Sequence, residues 1–153
     1  IMTKQFAEID SENRVIQVVE VDDADVDNYG GDQSQTAVDH VSSFLSLHSP
    51  RNRWVQTSIN NSFRRRYASI GGTYDPQNDV FIEAKPYDDF VFNSQNFSWD
   101  PPIPYPTTQI LSIYWDPKIK KWAGLNGYEA DSPMLFWDEN ELVWKNYLDY
   151  YPL

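Results

Sequence analysis

Four aspartates, Asp22, Asp23, Asp25 and Asp27, fall close together, and from Asp23 onward they stand at alternate positions, as the ligands of a calcium loop do. The match then fails. The sixth position is Asn28, where the tight turn wants glycine, and the twelfth is Ser34, where a bidentate glutamate would close the shell. The stretch from Asp22 to Asp32 reads as a solvated acidic loop. His40 and His48 are the only histidines, and on a predicted helix they stand two turns apart, too far to share a metal. No His-Glu-x-x-His pattern, glycine-rich phosphate loop or Gly-x-Ser-x-Gly elbow occurs. A glycosidase needs only two carboxylates at the right separation, and among 23 acids the sequence singles out no such pair. The expectation is a non-enzymatic protein with no catalytic, cofactor-binding or metal-ligating residues.

Binding chemistry is better represented. Arg64, Arg65 and Arg66 form the one basic cluster, able to meet an anionic partner or to be paired internally. Aromatic residues make up 16% of the chain, with 6 Trp, 10 Tyr and 8 Phe. Flat rings with polar edges serve protein interfaces and sugar-binding surfaces alike, and they also fill cores. The residues expected at an interface are Arg64, Arg65, Tyr147, Tyr150 and Tyr151.

The elements that must carry these residues announce themselves through a repeat. A bulky residue, then Asp or Asn, then a polar loop, then a second bulky residue seven positions after the first occurs as Ile9 with Ile16, Tyr74 with Phe81, Phe92 with Trp99, Trp115 with Trp122, and Trp137 with Trp144. In a hairpin with a four-residue loop these pairs become cross-strand neighbours. Asp10, Asp75, Asn93, Asp116 and Asp138 start the turns, since such side chains accept bonds from backbone N–H groups two residues on. Pro76 and Pro117 preset the following φ angle.

One segment breaks the pattern. Ala37, Val38, Val41, Phe44, Leu45 and His48 recur at helical steps behind Ser34, a good N-cap, and predict an amphipathic helix over about 34–48 that ends near Pro50 and closes one face of a sheet. Trp54, Thr57 and Ile59 follow as a strand. Pro101, Pro102, Pro104 and Pro106 cannot supply a central strand and predict an extended segment at the surface or against an aromatic shelf. The fold class is mainly β, repeated antiparallel hairpins with one helix. Spacing leaves a single sheet, a sandwich and an open barrel equally open. The expected division is 1–125, a hairpin domain carrying the helix, and 126–153, a C-terminal hairpin with an aromatic tail.

Composition narrows the partners. With 23 acids against 12 bases the net charge is −11, which repels phosphate backbones, so nucleic acid is not an expected partner. No apolar run approaches membrane-spanning length, and no membrane partner is expected. There is no cysteine, so stability must come from packing.

An ordered series of short motifs runs through the chain: Phe6-Ala7-Glu8-Ile9-Asp10, Val15-Ile16-Gln17-Val18-Val19, Trp54-Val55-Gln56-Thr57-Ser58-Ile59-Asn60 and Arg66-Tyr67-Ala68-Ser69-Ile70-Gly71. Thr73-Tyr74-Asp75, Phe81-Ile82, Lys85-Pro86-Tyr87, Trp99 with the four prolines, and Tyr114-Trp115-Asp116 with Trp122 continue it. The series resembles a family of short, largely uncharacterised virion-associated proteins of tailed phages, many from marine and cyanobacterial viruses. It spans roughly residues 6 to 122, and the stretch from about Asn126 to Leu153 goes beyond the family's usual pattern. The resemblance implies a structural role in the virion, as a capsid decoration protein or head fibre, or alternatively as a tail adapter or host receptor- and glycan-binding appendage. The implied partners are capsid or tail proteins and further copies of the chain, with host surface glycan as the alternative ligand.

Overall fold

The computed structural model of the chain describes residues 2–48 and 50–153. The described residues form eleven strands and three short helices, a mainly β fold built from antiparallel hairpins. Contacts divide the chain into two compact units, one reaching to Pro86 and including Phe92–Trp99, the other made of Tyr87–Val91 and Asp100–Leu153. The expected boundary at residue 125 thus falls inside the second unit.

In the first unit, β1 (Thr3–Ile9) lies between β2 (Val15–Asp22) and β3 (Arg53–Thr57) in an antiparallel sheet. As the central strand it is buried on both faces from Gln5 to Ile9. Phe6 points to one side, where Val21 and Trp54 meet Val26 of α1 (Ala24–Asp27) and Ala37 and Val41 of α2 (Gln35–Leu45). Ala7 and Ile9 point to the other, where they meet Val15, Ala68, and Tyr74 and Phe81 of the hairpin β4 (Thr73–Asp75) and β5 (Val80–Ile82). Ser34 caps α2 as expected, its Oγ accepting from the Ala37 N–H at 3.0 Å. The helix stops at Leu45, so His48 lies beyond it, and β3 stops at Thr57, leaving Ile59 outside the strand. The acidic loop is not wholly irregular, because Ala24–Asp27 forms α1.

The turn chemistry of the repeat is realised throughout. Asp75 Oδ1 accepts from the N–H groups of Gln77 at 2.9 Å and Asn78 at 3.2 Å, and Asn93, Asp116 and Asp138 each accept from the residue two positions on. A second regularity is invisible in residue type: the fifth residue after the first bulky one adopts a left-handed conformation, at Asp79, Phe97, Lys120 and Leu142. Tyr74 pairs with Phe81, Trp115 with Trp122 and Trp137 with Trp144, and the Phe92 and Trp99 rings of β6 (Val91–Asn93) and β7 (Ser98–Asp100) stand 5.2 Å apart.

The first repeat departs from the rest. Ile9 pairs with Val15, not with Ile16. Its left-handed residue, Asn13, comes one position earlier, so the loop is shorter by one residue and the register moves. The pairing shifts again between Glu8 and Ile9, because Gln17 stands opposite Glu8, and the surplus residue, Ile16, is left 45% exposed in a bulge.

Candidate interaction surface

The second unit is an antiparallel sheet in the order β11 (Val143–Asn146), β10 (Met134–Asp138), β9 (Lys121–Leu125), β8 (Ser112–Asp116). The last two hairpins therefore share one sheet. Trp115 faces Trp122, Trp137 faces Trp144, and since Phe136 faces Ala123 the next step of the ladder sets Trp137 beside Trp122. Four tryptophans thus cross one face in a single row. Trp122 donates its indole N–H to Ile103 O at 2.9 Å and Trp144 to Thr108 O at 2.8 Å, while Tyr105 packs edge-on against Trp122. The proline-rich segment lies on this aromatic shelf, its backbone held by the indoles.

The opposite face carries Tyr114, Asp116, Met134 and Phe136. The aromatic tail, with the short helix α3 (Tyr147–Tyr150), covers only part of it: Phe136 sits between the rings of Tyr150 and Tyr151 at 5.2 and 5.1 Å. Beside the tail an open cleft of about 390 Å³ is lined by Tyr114, Asp116, Met134, Tyr147 and Leu153 among others. Tyr114 and Met134 remain 40% and 41% exposed. Asp116 is buried, and its acceptors are engaged: Oδ1 takes the N–H of Lys118 at 2.8 Å, and Oδ2 takes the Tyr147 hydroxyl at 3.0 Å. Burial first, and then the Asp116 carboxylate, push the Tyr114 and Tyr147 phenols above the ordinary tyrosine range, so both remain protonated donors near neutral pH.

Comparisons with protein families, curated proteins and solved structures return no match. What the surface can do must be read from its chemistry. A cleft of this size takes one or two side chains of a partner or a small ligand. With the acceptors of Asp116 engaged, its walls offer apolar contact more readily than directed hydrogen bonding.

The residues expected at an interface separate into two groups. Tyr150 is 57% exposed on the tail, Tyr151 is half-buried against Phe136, and Arg65 is exposed, its guanidinium 5.3 Å from the Phe97 ring. Tyr147 is buried on Asp116, and Arg64 is only 12% exposed, donating to Asp79 Oδ1 at 2.7 Å and to Gln56 O at 2.9 Å. These two hold their own units together. Arg64→Ala should therefore lower the first unit's stability by about 1–2 kcal/mol, the low end for charged hydrogen bonds because Asp79 is half exposed. An unchanged urea midpoint would return Arg64 to the list of free surface cations.

The acidic loop is also tied internally. Lys4 Nζ reaches Asp27 and Asp32, each at 2.7 Å, and Gln56, itself buried, donates to Asp32 and accepts the Gln33 N–H. Asp25 meets His40 Nε2 at 2.9 Å, with the His40 ring stacked 3.6 Å from Tyr29. Among the described residues no three acidic or histidine side chains converge as metal ligands would, and no helix is long and apolar enough to cross a membrane.

One surface pair predicts a pH response. The Lys145 ammonium, 2.7 Å from Asp138, holds that carboxyl down at about 2, and the partner's own pKa is raised. A carboxylate depressed in the folded state contributes stability above its unfolded pKa, near 3.8, and loses it as pH falls toward 2. Thermal midpoints should drop across that window, and Asp138→Asn, which keeps an acceptor for the turn, should flatten part of the drop. Parallel curves for the two proteins would show the pair to be inert.

Proposed function

We propose that this chain is a non-catalytic structural protein of a tailed-phage virion, a capsid decoration protein or head fibre, and that it binds its neighbours through the partly covered face of the second unit. The observation carrying this reading is the open cleft beside the tail. A sheet face left bare at Tyr114 and Met134, next to a tail that already buries Phe136, offers apolar area to a partner subunit. The resemblance of the ordered motifs to short phage proteins is what suggests the virion setting, and the acidic, aromatic-rich composition suits assembly by apolar burial with a polar rim.

A second reading, a tail-associated adapter or glycan-binding appendage, draws on the exposed Tyr114 and Tyr150 rings. It is less favoured, because a sugar site needs polar groups free to bond the ligand and Asp116 has its acceptors engaged. The deciding test is localisation on intact particles by immunogold labelling, together with incorporation of a Tyr114→Asp, Met134→Asp double variant. Signal over the shell, lost in the double variant while the isolated variant stays folded, is the expected result. Signal confined to the tail would move the second reading into the lead, and its absence from particles would remove both.

A further inference from the structure

The outer edge of β3 has unpaired peptide groups, and the phase of the ladder tells which they are. The Asp23 N–H donates to Met2 O at 3.2 Å, so Met2 and Asp23 form a hydrogen-bonded pair at the end of the β1–β2 ladder. Alternation along the central strand then turns Lys4, Phe6 and Glu8 toward β2, and Gln5, Ala7 and Ile9 toward β3. The residues opposite Phe6 and Glu8 on β3 are Gln56 and Trp54. Their N–H and C=O groups consequently face away from the sheet. The Arg64 guanidinium donating to Gln56 O from outside agrees with this phase. The Trp54 N–H and C=O and the Gln56 N–H find no such partner among the described residues.

Alongside this edge runs α2. Its stripe Gln35, Val38, Asp39 and Ser42, with the C-cap Ser46, forms one wall of an open groove of about 350 Å³, and Trp54 and Val55 stand on the other wall. On the strand side the groove runs from Asn52 to Val55, about 13 Å, which fits roughly four residues of extended chain. Trp54 is 4% exposed, yet its indole N–H has no hydrogen-bond partner. The opposite edge of the sheet differs. The Val15 peptide group of β2 is already bonded to Gly71 and Gly72, and Glu20 and Asp22 place charge along the rest.

We propose that the groove between α2 and β3 binds an extended peptide segment of a partner protein as a fourth strand beside β3. The unpaired groups favour the occupant: a side chain such as that of Arg64 meets one group of the edge, whereas another strand meets its donors and acceptors in succession. Side chains of that strand facing α2 would meet Val38, Ser42 and Trp54, which suits small or apolar residues. This site lies in the first unit and does not depend on the cleft of the second.

The test uses the full chain and a displayed library of random ten-residue peptides. Peptides should be enriched that bind in the micromolar range, slow hydrogen exchange at the Trp54 and Gln56 amides, and lose at least tenfold in affinity against Ser42→Trp, which fills the groove from the helix wall. Val38→Arg, narrowing the same wall, should act alike, and circular dichroism would confirm that both variants fold. No enrichment over Ser42→Trp, or bound peptides that leave those two amides unprotected, would overturn the proposal. Protection of the amides in the protein alone, with a doubled mass in solution, would overturn it in favour of a second copy on the edge.

Discussion

Gly124→Ala is expected to break the second unit's sheet, lowering stability by at least about 3 kcal/mol, a large share of what a domain of this size possesses. Gly124 lies on β9 opposite Ile113 of β8 and Leu135 of β10. A Cβ added there would stand 2.0 Å from Ser112 O and 2.8 Å from Ile110 Cδ1. The second contact could be relieved by a rotamer change, but the first is with backbone held in the β8–β9 ladder. Relief requires parting the two strands, which would also separate Trp115 from Trp122. Tryptophan fluorescence followed through urea denaturation would report the loss, and an alanine variant with the wild-type midpoint would contradict the close approach of Ser112 to this strand.

Trp137→Ala is expected to cost about 3–5 kcal/mol, the range for truncating a fully buried aromatic side chain. Trp137 is 2% exposed in the middle of the tryptophan row, its ring 5.3 Å from that of Trp144. Trp144→Phe makes the informative contrast. It keeps a ring against Trp137 but removes the donor to Thr108 O, so its cost should fall near 1 kcal/mol, that of one hydrogen bond. Equal losses in the two variants would mean that holding the loop matters as much as filling the core.

These two sites show where sequence reading succeeds and where it stops. The pairing of Trp137 with Trp144 is written into eight consecutive residues, because Asp138 accepts the turn's N–H groups and the loop length fixes who stands opposite whom. The place of Gly124 under Ser112 and Ile110 has no such signature. It depends on β9 being an inner strand and on a loop returning over it, and glycine alone does not say so. Ile16 shows how narrow the margin is. It stands seven positions after Ile9, as the repeat requires, yet a loop shorter by one residue gave its pairing to Val15.

The residues expected at an interface divide in the same way. Arg64 and Arg65 are adjacent and chemically alike, but only the structure separates the guanidinium tied to Asp79 and Gln56 from the exposed cation over Phe97. Tyr147 and Tyr150 are parted likewise, one buried on Asp116 and the other out on the tail. The cleft had no signal in residue order, since it is bounded by residues from Tyr114 to Leu153, and although the β3 groove lies between the consecutive elements α2 and β3, nothing in their residues says that β3 takes an edge of the sheet.

By itself the sequence determined the hairpins with their turn-starting Asp and Asn side chains, the capped helix behind Ser34, and a mainly β chain whose stability rests on aromatic packing. Turn and cap bonds close over two to four residues, so their geometry is fixed by neighbours along the chain. Tertiary structure alone decided the sharing of one sheet by the last two hairpins, the continuous tryptophan row, the two-unit division and which edges and faces stay open. Those outcomes follow from competition among strands and loops for the same apolar surface, and the winner depends on contacts that no local stretch of residues contains.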